Sequence, residues 1–193
     1  MRDMGYWLLV EDSIDDVFDA LRLNQEFADQ CAVRELELIA RACDEYVVDA
    51  LRSDAAAEKL VRGGHDGTAD VGEFLALELA GLLQITPASA AVKICQVLDL
   101  RDRHPELWAH VHARAIKPWQ ALKVASRCAE AGLSLQAARW VDRQLAMAVE
   151  GLPWGRVVRA LEGLIVSADA HAAAQRAEQL RQRRRVFVGD HRE

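Results

Sequence analysis

Apolar residues recur every three or four positions along most of this chain of 193 residues. In the stretch 33–51 they include Leu36, Ile39, Cys43 and Val47, which would share one face of a helix with 3.6 residues per turn. Similar stripes continue from residue 71 to residue 168. The pattern therefore predicts an all-α fold, a multi-helix bundle of about eight or nine helices, with roughly 65% helix or more against a usual third.

Start signals give this pattern its boundaries. Ser13 is a candidate N-cap for the first helix, with acidic residues in the next turn, and an interruption is expected near residues 29–30. A second helix is expected over 71–83. Ser134 is the candidate N-cap of a later helix. Proline at the first helical position predicts three further starts, at Pro87, Pro118 and Pro153.

The glycine-rich stretch Gly-Gly-His-Asp-Gly at residues 63–67 is the clearest break. It predicts an acidic helical arm or subdomain at 1–62, a linker at 63–69, and a main helical domain at 70–188 that ends in an arginine-rich helix. The run at 186–188, Val-Phe-Val, predicts at most a very short strand near the C-terminus.

Membrane and export signals are not found in the sequence. No run of eighteen apolar residues exists, and the first twelve residues carry no basic region of a signal peptide. The four cysteines are far apart and form no C-x-x-C pair, which favours reduced, buried thiols in a cytoplasmic protein. They are Cys31, Cys43, Cys95 and Cys128.

Charge is distributed unevenly. Residues 1–100 hold 8 basic and 20 acidic side chains, a net charge of −12, whereas residues 101–193 hold 16 and 10, a net charge of +6. The basic half predicts that the chain binds DNA through its phosphates, without base specificity. Ordinary solvated helix faces explain the same arginines equally well. The candidate DNA-contacting residues are Arg139, Arg143, Arg156, Arg159, Arg176, Arg181, Arg183, Arg184 and Arg185.

The tryptophans also have two explanations, nucleic-acid stacking and core packing. Four of the five lie in the basic half, where they could stack on single-stranded nucleic acid. Trp119 and Trp154 each follow a proline that opens a helix, and anchoring of helix entrances in the core is the better explanation.

The sequence contains no recognised catalytic motif or metal-ligand spacing. Nucleophile elbows, S-x-x-K and phosphate loops are absent, and His110 and His112 would diverge by about 200° on their helix. We therefore expect no catalytic residue, no cofactor and no metal. Glu78 is unusual because it lies between leucines in an apolar segment, so a buried structural carboxylate, ion-paired with Arg101 or Arg114, is expected there.

From about Asp70 onward the order of these segments resembles the actinobacterial domain-of-unknown-function family 222. The segments are GEFLALELAGLLQIT, PASAAVKICQVLDL, HPELWAHVHARAIKPWQALKVA and the final stretch from GLPWGRVV to RRRVFV, together about two-thirds of the chain. The resemblance implies an α-helical domain that usually precedes an HNH endonuclease domain. An HNH unit needs two histidines and an asparagine in a ββα unit around a metal; the only asparagine here is Asn24, so the chain is expected to be a fragment or a shortened form.

Together these patterns predict a non-catalytic accessory domain of an HNH-type endonuclease, positioning DNA or mediating self-association. The alternative is a protein-interaction module, a homodimer without a nucleic-acid role. In either case the N-terminal helices, at residues 15–51, are the expected dimer surface, since their apolar stripes need a second copy or the bundle to cover them. An enzyme or sensor with a pocket inside the bundle is disfavoured by the lack of paired catalytic groups.

Overall fold

The computed structural model describes residues 13–50, 58–149 and 152–168, with side chains up to residue 46 in the first range and up to residue 147 in the second. Helices make up 77% of the described residues, which confirms the all-α prediction. There are seven helices in these ranges rather than eight or nine. The arginine-rich segment and the expected strand at 186–188 lie outside the described residues.

The elements follow one another through short connections. The order is α1 (Ile14–Ala50), β1 (Leu60–Arg62), β2 (Asp70–Gly72), α2 (Leu75–Leu83), α3 (Pro87–Leu98, continued by a π-helical turn at Asp99–Arg103), α4 (Pro105–His112), α5 (Pro118–Glu130), α6 (Leu135–Val149) and α7 (154–168).

Capping groups fix the helix starts that the sequence predicts. The Thr86 hydroxyl accepts a hydrogen bond from the Ser89 backbone N–H at 3.1 Å, and Pro87 follows at the first helical position. The Ser134 hydroxyl accepts from the Ala137 N–H at 3.3 Å at the start of α6. These starts follow from local chemistry, so the sequence shows them directly.

One hydrophobic core joins residues on both sides of the glycine-rich stretch. Leu36, Ile39 and Cys43 of α1 belong to the same buried cluster as Val97 of α3 and Val141 of α6. The packing differs from the expected division at 63–69, because the second half of α1 is an integral part of the bundle. α1 also runs through residues 29–30 without the expected interruption.

The glycine-rich stretch connects two antiparallel strands. Leu60 pairs with Gly72 and Arg62 pairs with Asp70, so residues 63–69 form the hairpin loop rather than a free linker. The helix expected from residue 71 begins at residue 75, since Val71 pairs with Val61 instead.

Among the described helices, no single one is long and apolar enough to cross a membrane. Only α2 and the α3 segment together, bent by 107° at their junction, have the necessary length and composition.

Candidate functional site

Two of the nine candidate arginines lie on α6. Arg139 and Arg143 are exposed and four residues apart, so they share a face of the helix. One Arg139 guanidinium nitrogen donates to the Asp102 carbonyl oxygen at 3.2 Å, which ties this side chain to the turn after α3.

Two more candidate arginines lie on α7. Arg156 and Arg159 are exposed and three residues apart. Arg159 Nε donates to the Gly155 carbonyl oxygen at 3.4 Å, so its side chain lies along its own helix. The other five are outside the described residues, namely Arg176, Arg181, Arg183, Arg184 and Arg185.

The expectation for Glu78 is corrected by its position. Glu78 is exposed, because α2 buries only the side of the helix that carries Leu75, Leu79 and Ala80. Leu77 and Leu82 are also exposed, at 52% and 78%. Helix α2 therefore lies at the edge of the bundle, although its apolar sequence is typical of a central, buried helix.

A buried carboxylate that the sequence analysis did not single out lies on α6. Asp142 is 1% exposed, and its two oxygens accept hydrogen bonds from the backbone N–H groups of Glu106 and Leu107 at 2.9 and 3.0 Å. It therefore caps the N-terminus of α4 from another helix. Burial raises the pKa of Asp142 to about 6, against the lowering effect of the two N–H donors.

A second buried polar group lies in the π-helical turn after α3. Arg103 is fully buried; it donates to the Leu133 carbonyl oxygen and approaches the Asp99 carboxylate at 3.5 Å. The next residue, His104, is also fully buried, and neither of its ring nitrogens has a hydrogen-bond partner among the described residues. Burial, with the charge of Arg103, lowers the pKa of His104 to about 3.

Asp99 also joins α3 to the hairpin loop. Its Oδ1 accepts from the His65 backbone N–H at 2.9 Å, and its Oδ2 lies 2.7 Å from His65 Nδ1. Cys95, one helical turn earlier, places its Sγ 3.6 Å from both His65 Nδ1 and Asp99 Oδ2. The three side chains offer atoms within 4.8 Å of one another that can hold a cation.

Glycines allow the loop to approach α3 and α6 this closely. A Cβ on Gly63 would lie 2.4 Å from Leu98 Cδ1, and a Cβ on Gly64 would lie 3.0 Å from Asp99 Oδ1. Gly67 has a positive φ of 86°, and a Cβ there would lie 2.6 Å from the Leu135 side chain. These close approaches pack the loop, with His65 in it, against α3 and α6.

The cluster is unsuited to nucleophilic catalysis. In a cysteine–histidine–acid relay the thiol and the carboxylate contact different ring nitrogens of the histidine. Here Cys95 and Asp99 both approach Nδ1 of His65. Burial, with the nearby Asp99 charge, raises the pKa of the Cys95 thiol to about 11, so the thiol is protonated near neutral pH.

A cavity opens beside the cluster. Its volume is about 430 Å³. His65, Cys95 and Asp99 form one wall, while Ser126 and Glu130 of α5 lie among the residues of the other. A ligand bound to the cluster would therefore face a space large enough for water or a small molecule.

The first half of α1 carries a second candidate surface. Ile14, Phe18 and Leu21 are 63%, 60% and 58% exposed. Phe18 lies eighteen residues before Leu36, which is five turns of helix, and Leu21 lies eighteen before Ile39. The exposed residues therefore continue the face of α1 that is buried further along.

Cysteines and tryptophans follow the expectation only in part. All four cysteines are free thiols, with Cys43 and Cys128 buried and Cys31 exposed. Trp119 is 51% exposed and meets Trp154 edge-on, with ring centroids 5.1 Å apart. Three tryptophans pack against the core, namely Trp108, Trp140 and Trp154.

Comparisons with known proteins give no family for this chain. No family model matches it, and no curated protein or solved structure is significantly similar. The resemblance described from the sequence therefore stays a prediction.

Proposed function

We propose that this chain is a non-catalytic helical domain that self-associates through the first half of α1. The observation that carries the proposal is the apolar face of Ile14, Phe18 and Leu21, which is exposed although it continues the buried face of the same helix. Single exposed apolar residues are ordinary, but an aligned row of them marks an interaction surface.

A second copy of the chain is the occupant that best fits this face. A symmetric pair covers the same residues twice, so one exposed face satisfies both partners. On this face Asp29 already pairs with Lys117 of the bundle at 3.2 Å. From Ile14 to Gln25 the helix extends about 17 Å at 1.5 Å per residue, enough for about three turns of helix-on-helix packing.

Charge predicts how such a pair responds to salt. Residues 14–29 contain five acidic side chains and one basic one, so two copies repel each other across the contact. Salt screens that repulsion, with a Debye length of about 10 Å at 0.1 M. Self-association should therefore strengthen as the salt concentration rises.

Opposite sides of α1 supply a matched pair of variants. Phe18 and Phe27 are 60% and 66% exposed, and nine residues place them on opposite sides of the helix. We expect Phe18→Glu to abolish the dimer in light scattering after size exclusion, while Phe27→Glu keeps it. Equal effects of the two substitutions, or none, would contradict a dimer through the Phe18 face.

DNA binding is the second candidate function, favoured by the exposed pairs on α6 and α7. Arg139 and Arg143 share one helix face, and Arg156 and Arg159 share another. Arginines arranged in this way contact phosphates through paired N–H donors without reading bases. The expected dissociation constant is on the order of 10⁻⁴–10⁻⁶ M at physiological salt, as for non-specific binding in general.

Anisotropy titration with duplex DNA separates the two functions. Binding to DNA weakens as salt rises because counterions are released, whereas self-association strengthens. We expect Arg139→Ala/Arg143→Ala to weaken binding, with Arg34→Ala/Arg41→Ala at two exposed arginines of acidic α1 as the charge-matched control. Unchanged binding in the double variant would remove α6 from the DNA surface.

Association with an HNH-type endonuclease rests on the sequence resemblance from Asp70 onward. We propose it together with a cytoplasmic location, which the four free thiols favour. Sequencing the reading frame that surrounds the gene tests the association, since a following His-Asn-His unit in a ββα pattern supports it and an unrelated continuation opposes it.

A further inference from the structure

We infer that His65, Cys95 and Asp99 form a binding site for a divalent metal ion of the zinc type, with one coordination position open to the adjacent cavity. The thiolate, imidazole and carboxylate are the three ligand types that Zn²⁺ takes from proteins, and three protein ligands leave a fourth position for water or another ligand.

Distances between the ligand atoms fit a tetrahedron. Zinc bonds of about 2.0–2.3 Å at tetrahedral angles put neighbouring ligand atoms about 3.3–3.6 Å apart. The Cys95 Sγ lies 3.6 Å from both His65 Nδ1 and Asp99 Oδ2. The third edge, 2.7 Å between Nδ1 and Oδ2, is shorter than a tetrahedral edge, and it would have to widen by about 0.6 Å for a metal to replace the shared proton.

The two oxygens of Asp99 have different partners. Oδ1 is held by the His65 backbone N–H at 2.9 Å and faces Arg103 at 3.5 Å. Oδ2 is the oxygen directed at the thiol and the imidazole. Hydrogen bonds to one oxygen of a carboxylate fix the orientation in which the other oxygen meets a metal. Outer-shell partners orient the ligands of metal sites in this way.

Local structure preorganises the other two ligands. Cys95 and Asp99 are four residues apart on continuous helical backbone, one above the other. His65 is fixed because its carbonyl accepts from the Thr68 hydroxyl at 2.8 Å and the glycines let its loop pack against the helix. Metal binding would tie the hairpin to α3, so it should also raise the thermal midpoint.

Cobalt(II) tests the site directly in the full, reduced chain. A cobalt–thiolate bond gives a charge-transfer band in the near ultraviolet. We expect this band to saturate at one equivalent of Co²⁺ and to disappear when Zn²⁺ is added. Cys95→Ser should remove it and His65→Gln should weaken binding by more than about tenfold, since even outer-shell partners contribute about 10–100-fold. Cys31→Ser, at an exposed cysteine on α1, is the control and should keep the band.

Alkylation of the unaltered chain tests the site without any variant. Zinc should slow the reaction of Cys95 with iodoacetamide, read by peptide mass spectrometry, and leave Cys31 unaffected. The proposal is overturned if no thiolate band appears at one equivalent, if Cys95→Ser keeps the band, or if zinc protects the two cysteines equally.

Discussion

Substitution of Gly67 by alanine tests whether the glycine-rich loop is packed as the structure shows. Gly67 has a φ of +86°, and an added Cβ would lie 2.6–2.9 Å from three atoms of Leu135. Gly132, at the end of α5, also has a positive φ, +68°, but an added Cβ there meets nothing within 4 Å. The two glycines therefore share the backbone cost and differ in the packing cost.

The expected magnitudes separate the two costs. A left-handed backbone costs an alanine about 1–2 kcal/mol, which is the whole effect expected for Gly132→Ala. Forcing a methyl group against a packed side chain costs about 1–3 kcal/mol more. Gly67→Ala should therefore lower the free energy of unfolding by about 2–5 kcal/mol.

Urea unfolding followed by far-ultraviolet circular dichroism measures both variants. A further comparison places Gly67→Ala in a Leu135→Ala background, which lacks the side chain that the new methyl group meets. Relative to Leu135→Ala alone, Gly67→Ala should then cost about as much as Gly132→Ala does. If Gly67→Ala costs no more than Gly132→Ala, the Leu135 side chain is not packed against residue 67 as the structure places it.

Three other predictions concern helix stability and pH. Gly163→Ala, within α7 and with nothing within 4 Å of an added Cβ, should raise the free energy of unfolding by about 0.5–1 kcal/mol; a lower denaturation midpoint would refute it. Asp142→Ala leaves the N–H groups of Glu106 and Leu107 without their acceptor and should cost about 1–3 kcal/mol in chemical denaturation, whereas an unchanged midpoint would mean that the cap is unimportant. The folded pKa of His104, about 3, lies below its unfolded pKa of about 6.5. As the pH falls below about 6.5, the unfolded state therefore binds a proton that the folded state does not, and the stability of the fold decreases. Wild type should lose about 2 kcal/mol relative to His104→Leu between pH 7 and pH 5; parallel stability curves for the two proteins would contradict this.

Much of the helical framework could be predicted because its signals are local. The starts at Pro87 and Pro118 and the cap at Ser134 use residues within one turn of each other. The short strands could not be predicted in this way, because three-residue strands are too short to show a period of two and their pairing is set by the loop between them. The position of α2 at the edge also left no local trace, so Glu78 was placed in the core.

Some of the polar residues at these sites carry a signal in the sequence, and others are brought together only by the fold. Asp142 does follow the inward residues Ala138 and Val141 of α6, so a carboxylate in an apolar stripe was a usable signal. The pair Cys95 and Asp99 is also spaced for one helix face. His65 is 30 residues from Cys95, and only the folded hairpin brings the two together.

Sedimentation equilibrium of the full chain tests the central claim most directly. Self-association through α1 predicts a molar mass that approaches twice the 21.4 kDa of one chain as concentration rises. It also predicts that the transition moves to lower protein concentration when salt is added, since salt screens the acidic helices from each other. A mass of 21.4 kDa at every concentration and salt would contradict the account.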